Sequence, residues 1–123
     1  MNNTPHQTAK AALAALANEP AGLPYMTLFR HGSLEIEIYR PIGVDHQTPH
    51  TRDEIYVVIA GGGDFVCAGY RRPFLPGDVL FAPAGAVHRF ENFSADFSTW
   101  VFFYGPDGGE AAPKPDDRGP QSQ

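Results

Sequence analysis

Cysteine is almost absent from this sequence, because its 123 residues include a single one, Cys67. One cysteine cannot form an intramolecular disulfide, so the disulfide-stapled scaffolds of small secreted proteins are excluded. Cys67 stands between Val66 and Ala68 in an apolar run, where a buried small hydrophobe is the more common role than a nucleophile. Because the chain has no disulfide framework, we expect it to be a protein of the reducing cytoplasm.

Clusters of basic residues and long hydrophobic runs are also missing. Nine Lys and Arg residues stand against fourteen Asp and Glu, and basic residues adjoin only at the pair Arg71 and Arg72. This composition argues against a nucleic-acid partner, which would need a basic surface to neutralise phosphates. The alanine-rich stretch of residues 9–17 is too short to cross a bilayer, so no membrane partner and no secretory signal are expected.

Hydrophobic residues, by contrast, make up 42% of the chain, which is enough for one packed domain. Nine are phenylalanines, most of them after Tyr56. Aromatic side chains pack well on pleated surfaces, so this bias favours β structure.

One helix is predicted, over residues 4–18. Thr4 can cap its first turn, Pro5 suits the first helical position, and Gln7 stands where a capping box places an amide or carboxylate. The segment carries a mildly apolar stripe, which predicts a helix packed against the rest of the domain.

From Tyr25 onward the hydrophobic period changes to two. Residues 33–39 alternate Leu and Ile with Glu and Tyr, which predicts a half-buried strand. Further strands are predicted over residues 25–30, 55–60, 64–69, 78–82, 87–91 and 97–104. Turn residues at nearly every junction predict an all-β sandwich, jelly roll or closed barrel. The predicted organisation is an N-terminal helix and lead-in over residues 1–24, a barrel over 25–104 and a flexible C-terminal tail over 105–123.

Among five histidines, His46 and His50 precede Glu54 at intervals of four residues. A helix would align the three, but Pro49 and the β-forming run after Glu54 argue for strand, turn and strand instead. On one straight strand, residues four apart are separated by about 13 Å, whereas zinc ligands lie about 2.0–2.2 Å from the ion. His50 and Glu54 can share an ion only if the chain turns at residues 51–53.

Two stretches of the chain resemble the conserved motifs of the cupin family. In residues 43–61, His50, Glu54 and Gly61 match the later part of the first motif. The second motif is matched in order and spacing by Gly77, Pro83, Gly85, His88 and Asn92. The resemblance covers roughly residues 25–104 and implies a double-stranded β-helix, the jelly-roll or cupin barrel, with a short N-terminal helix.

The resemblance implies that His50, Glu54 and His88 bind one divalent metal ion inside the barrel. The first histidine of the family motif aligns here with Thr48, so His46 is a candidate fourth ligand and Gln47 an alternative. The remaining set resembles a facial triad, which suits Fe and leaves Zn, Mn or Ni possible. The alternative is a metal-free barrel whose histidines form interior hydrogen bonds.

Gln47, Tyr56 and Phe90 are candidates to line a substrate pocket, and plain core packing is the competing interpretation for Tyr56 and Phe90. The resemblance implies a metal-dependent enzyme of oxygenase, isomerase or lyase type, acting on a small organic molecule. A non-catalytic ligand-binding or sensing module is the alternative function, and a structural barrel is a third. Small cupins commonly pair through their sheets, so the resemblance also implies a homodimer. The sequence names neither the substrate nor the metal.

Overall fold

A computed structural model describes residues 3–111 and contains one helix and eight strands. The elements in chain order are α1 (Ala9–Ala17), β1 (Tyr25–His31), β2 (Leu34–Tyr39), β3 (Asp53–Ala60), β4 (Gly63–Cys67), β5 (Tyr70–Phe74), β6 (Val79–Ala82), β7 (His88–Glu91) and β8 (Ser98–Tyr104). The predicted all-β class with a short N-terminal helix is therefore confirmed. No helix within residues 3–111 is long and apolar enough to cross a membrane.

The strands form two antiparallel sheets that face each other. The larger sheet has the order β1-β2-β8-β3-β6, and the smaller has the order β5-β4-β7. Strand β5 was missing from the sequence prediction. Its burial does not alternate, and Pro73, which has no backbone N–H, is tolerated because β5 lies at the edge of the smaller sheet.

Helix α1 begins later than the sequence predicted. Thr8, not Thr4, is the N-cap, and its side chain accepts a hydrogen bond of 3.1 Å from the backbone N–H of Ala11. Both threonines can cap a helix, but the alanine-rich run with high helix propensity starts directly after Thr8. The helix ends at Ala17, with Asn18 as the C-cap.

An aromatic core fills the space between the two sheets. Phe90 lies at its centre, with ring centroids 4.7 Å from Phe97 and 4.9 Å from Tyr56. The buried members of this core are Tyr39, Tyr56, Val58, Phe65, Phe74, Ala82, Phe90, Phe97 and Val101. Four of the nine phenylalanines, Phe65, Phe74, Phe90 and Phe97, are therefore buried in this core.

A second, smaller core lies on the outer side of the larger sheet. There α1 packs its buried Ala12 and Leu16 against Leu28 and Ile38. The apolar face of β2 is thus directed outward, under the helix. Its polar face, with Glu37 and Tyr39, is directed into the barrel, so the half-buried strand that the alternation predicted has buried residues on both faces.

The first residues of the predicted tail are hydrogen-bonded to the barrel. The backbone N–H of Gly108 donates to the carbonyl of Thr51 at 2.6 Å, and that of Glu110 donates to Asp53 Oδ2 at 2.8 Å. Residues 108 and 110 are thus attached to the barrel, whereas the sequence predicted a flexible tail from residue 105 onward. Its remainder, residues 112–123, lies outside the described part.

The turn between β3 and β4 requires glycine at position 61. Gly61 has φ +83°, and a Cβ added there would lie 2.6 Å from the backbone Cα of Phe97. Gly69 has almost the same backbone angle, φ +82°, but no atom within 4 Å of an added Cβ. The two glycines therefore separate the cost of backbone strain from the cost of a collision.

We predict that Gly69→Ala lowers the free energy of unfolding by about 1–2 kcal/mol, from left-handed strain alone. Gly61→Ala should lower it by about 1–3 kcal/mol more, because the backbone of Phe97 must move. Urea denaturation of both variants measures the difference. Equal losses would mean that the close approach of Gly61 to Phe97 has no energetic weight.

Candidate metal centre

His50 and Glu54 are brought together by a bend of the chain at Thr51 and Arg52. The bend is held by hydrogen bonds to the loop before β7. The N–H of Gly85 donates to the carbonyl of His50 at 2.8 Å, and the N–H of Ala84 donates to Asp53 Oδ1 at 2.9 Å. The turn that the sequence required at residues 51–53 is therefore present.

His88 approaches the same point from the opposite sheet. It is the first residue of β7, while Glu54 is on the inner face of β3. Nitrogen or oxygen atoms of His50, Glu54 and His88 all lie within 4.8 Å of one another. Glu54 Oε1 is 3.0 Å from His88 Nε2 and 3.7 Å from His50 Nε2. Two distant stretches of sequence thus place two imidazoles around one carboxylate.

The carboxylate of Glu54 is almost completely buried, with 2% of the residue exposed. Its Oε1 is buried and has no aligned hydrogen-bond donor among the described residues, although His88 Nε2 lies within 3.0 Å. A buried, unsatisfied carboxylate oxygen is costly, whereas a cation at that point would satisfy it. The residues present therefore fit a divalent metal ion.

The imidazole of His88 is oriented by the backbone. Its Nδ1 lies 2.9 Å from the carbonyl oxygen of Ala86, an acceptor, so Nδ1 carries the proton and donates it. This bond directs Nε2 toward Glu54 and leaves it as the nitrogen that a metal would use. Nε2 is also 3.1 Å from the hydroxyl oxygen of Tyr56.

The environment acts differently on the two histidines. Burial lowers the pKa of His50, and the nearby charge of Glu54 opposes that change only in part. Burial also tends to lower the pKa of His88, but Glu54 and the carbonyl of Ala86 outweigh it, so that pKa is raised. Burial, followed by the charge of Glu54, raises the pKa of Tyr56 well above its ordinary value and keeps the phenol protonated.

The two candidates for the missing motif histidine lie in different places. His46 is exposed on the wall of the cavity and does not belong to the cluster of His50, Glu54 and His88. Gln47 is partly buried, and its Oε1 lies 3.3 Å from His50 Nε2. Thr48 is exposed.

A cavity of about 810 Å³ reaches from α1 to the cluster of His50, Glu54 and His88, and the first two of these residues contribute to its wall. Its volume is within the range that accommodates small organic ligands. Gln47 lines the cavity. Phe90 lies behind the wall in the aromatic core, and Tyr56 is fully buried and reaches the cluster through its hydroxyl group.

Two polar residues near the site were not predicted from the sequence. Glu37 lines the cavity, and burial raises the pKa of its carboxyl group. Asp45 is buried and accepts hydrogen bonds from residues of three segments. Strand alternation placed Glu37 opposite the Leu and Ile side chains of β2 but could not show that its face is directed inward. No pattern in the sequence marked Asp45.

Comparison with known families decides the identity of the fold. Residues 36–104 match the profile of the cupin domain family, Cupin_2. The chain belongs to the cupin family. A curated relative, the uncharacterized protein SCO3923 of Streptomyces coelicolor, is 28% identical over 85 residues, which are 68% of this chain and 81% of that protein.

Two solved structures have a similar fold. Protein NMB1881 from Neisseria meningitidis superimposes with a TM-score of 0.63 at 19% identity, over 81% of this chain and 99% of that chain. A chain from the crystal structures of the DMSP lyases RdDddP and RnDddQII gives a TM-score of 0.59 at 25% identity. That match covers 68% of this cupin and 47% of the other chain, so this cupin spans about half of that protein's length.

We predict that Zn²⁺ stabilises the folded cupin through the carboxylate of Glu54. At 100 times its Kd, an ion that binds the folded state alone raises the free energy of unfolding by about 2.7 kcal/mol. Glu54→Gln keeps the side-chain volume but removes the charge, so the same Zn²⁺ concentration should give little stabilisation. Urea denaturation with and without Zn²⁺ measures both effects. Equal stabilisation of wild type and variant would place the ion elsewhere.

Proposed function

We propose that this cupin is a metal-dependent enzyme that acts on a small organic molecule. One divalent ion would be held by His50, Glu54 and His88. The observation that carries the proposal is the unsatisfied, buried Oε1 of Glu54 between two imidazoles, at the wall of a cavity of ligand size. Two imidazoles and one carboxylate suit Fe(II), and Zn, Mn and Ni are compatible with the same donors.

A bound ion would supply Lewis-acid chemistry or the activation of dioxygen. The protein's own residues would orient the reactants and limit the access of water. His88 is fixed by its bond to Ala86, and the protonated phenol of Tyr56 donates a hydrogen bond of 3.0 Å to Gln47 Oε1. Apolar side chains of α1 and of residues 41–44 form the outer wall of the cavity. A small molecule there would be partly desolvated beside the site.

The reaction type is narrowed by one comparison. The structural neighbour at 25% identity comes from the DMSP lyases. This likeness supports lyase chemistry over the oxygenase and isomerase alternatives, and it supports a small organic substrate. The partner of this cupin would then be a small molecule and not a nucleic acid.

A second candidate function is a ligand-binding or sensing module without turnover. The cavity favours this alternative as well, because its walls extend to α1 and to residues 22–25, far beyond the three metal-binding side chains. A module of this kind would retain a bound ligand unchanged. Turnover is therefore the measurement that separates the two functions.

Metal content and turnover should depend on the same residues. We predict about one divalent ion per wild-type chain by elemental analysis, and a loss of at least tenfold in metal occupancy in His50→Ala and His88→Ala. His31→Ala is the matched control, since His31 is exposed and belongs to β1, which β2 and β8 separate from β3 in the larger sheet. It should retain the ion.

The wild type is then incubated with sulfonium, hydroxy-acid and keto-acid substrates, in air and without oxygen. Turnover that needs the ion but not oxygen supports a lyase or isomerase, and turnover that needs both supports an oxygenase. An ion-loaded protein that binds a substrate but never converts it would contradict the enzyme proposal and favour the sensing module. Failure to take up any ion would contradict the metal centre itself.

We also propose that this cupin forms a homodimer through the outer face of its larger sheet. Strand pairing aligns two apolar rows there, namely Met26, Ile38, Trp100, Val57 and Val79, and Phe29, Ile36, Phe102, Ile55 and Phe81. Helix α1 covers the β1 and β2 side of this face. At the β6 edge, Val79 and Phe81 remain 67% and 49% exposed. Exposed apolar side chains at this edge, continuous with the two apolar rows, favour association with a second copy.

Phe81→Lys should shift the protein from dimer to monomer, because a charge would be buried in the proposed interface. Tyr70→Lys is the matched control, since Tyr70 is also an exposed aromatic residue but belongs to β5 of the other sheet. Light scattering after size-exclusion chromatography measures the mass of each. A monomeric wild type, or a dimer that survives Phe81→Lys, would contradict this interface.

A further inference from the structure

The position of the missing motif histidine leaves a gap in the ligand set of this cupin. Thr48 stands in its place and is exposed, and the alternative His46 is exposed as well. Three side chains, His50, Glu54 and His88, therefore converge without a fourth from this stretch among the His, Cys, Asp and Glu residues described. A donor of another chemical type could fill the gap.

The carbonyl oxygen of Gln47 lies at this gap. Its Oε1 is 3.3 Å from His50 Nε2, the nitrogen that also approaches Glu54 Oε1. The same Oε1 accepts the hydrogen bond from the hydroxyl group of Tyr56 at 3.0 Å, and that hydroxyl contacts His88. An amide oxygen is a neutral, hard donor of the kind that divalent cations accept beside imidazole and carboxylate.

Asp45 determines which end of the Gln47 amide is directed into the site. Gln47 Nε2 donates to Asp45 Oδ2 at 2.6 Å. An ionised carboxylate can only accept hydrogen bonds, so it requires the NH₂ group of the amide and excludes the carbonyl oxygen. With the nitrogen held by Asp45, the oxygen must face His50.

Asp45 is itself fixed by the barrel. It is 7% exposed, and its Oδ2 also accepts a hydrogen bond of 2.8 Å from the backbone N–H of Phe90 in β7. Its Oδ1 accepts from the hydroxyl group of Tyr39, at the end of β2, and from the backbone N–H of Gln47 at 3.1 Å. The carboxylate thus ties the segment before the metal cluster to both sheets.

We infer that Gln47 Oε1 is a fourth metal donor in this cupin and that Asp45 is the positioning residue that directs it. This inference rests on the proposed metal centre. It assigns to Gln47 the place that a histidine occupies in the family motif. It also accounts for the burial of the Asp45 carboxylate next to the site, because that carboxylate orients Gln47 and would add negative charge around a cation.

The experiment measures the Kd of Co²⁺ for the full chain after chelator treatment, together with the visible absorption of the bound ion and the thermal midpoint without metal. Gln47→Leu removes the donor, and Asp45→Asn lets the amide turn. Both should weaken Co²⁺ binding by about 10–100-fold, the range seen when residues that orient ligands are removed. Both should also alter the Co²⁺ spectrum, which a purely structural role would not do.

Two control variants separate position from stability. Tyr39→Phe removes one hydrogen bond to Asp45 without touching Gln47, so it should lower the thermal midpoint and leave the Kd within about twofold of wild type. His46→Ala should change neither quantity. Wild-type affinity and spectrum in Gln47→Leu would overturn the inference, as would a loss of binding in His46→Ala. A wild type that binds no Co²⁺ would instead contradict the proposed metal centre.

Discussion

Burying an ionised carboxylate costs several kcal/mol unless a cation or hydrogen-bond donors face it. This constraint applies to Glu54, whose side chain lies in the interior of the barrel. Its Oε1 is close to two imidazole nitrogens but has no aligned hydrogen-bond donor among the described residues. The bend after His50 and the carbonyl that orients His88 both serve to assemble side chains around that oxygen. The fold of this cupin thus holds the side chains of His50, Glu54 and His88 close together.

The larger sheet has an unusual distribution of polarity that follows from this role. Its polar residues on β2, including Glu37 and Tyr39, are directed into the barrel, while Ile38 is directed outward under α1. The interior therefore divides into an aromatic core around Phe90 and a polar cavity beside Glu54. The packed core occupies one end of the barrel, and the cavity occupies the other end.

Much of this arrangement could be predicted from the sequence, because cupin motifs fix residues at defined intervals. The resemblance to those motifs implied that residues 50, 54 and 88 meet, and the hydrophobic period of two with its turn residues indicated seven of the eight strands. Strand β5 was not predicted, because its residues do not alternate between buried and exposed positions. The start of α1 was placed four residues too early because Thr4 and Thr8 have equal capping ability. The role of Asp45 depends on a contact with Phe90, 45 residues away, which no local pattern encodes.

The central claim is that two imidazoles and the Glu54 carboxylate share one ion, and an anomalous-difference map from crystals grown with Zn²⁺ tests it most directly. The account predicts one strong peak per chain, with His50, Glu54 and His88 each about 2.0–2.2 Å away. A peak bound by other residues, or none at a Zn²⁺ concentration that saturates the protein in solution, would contradict it.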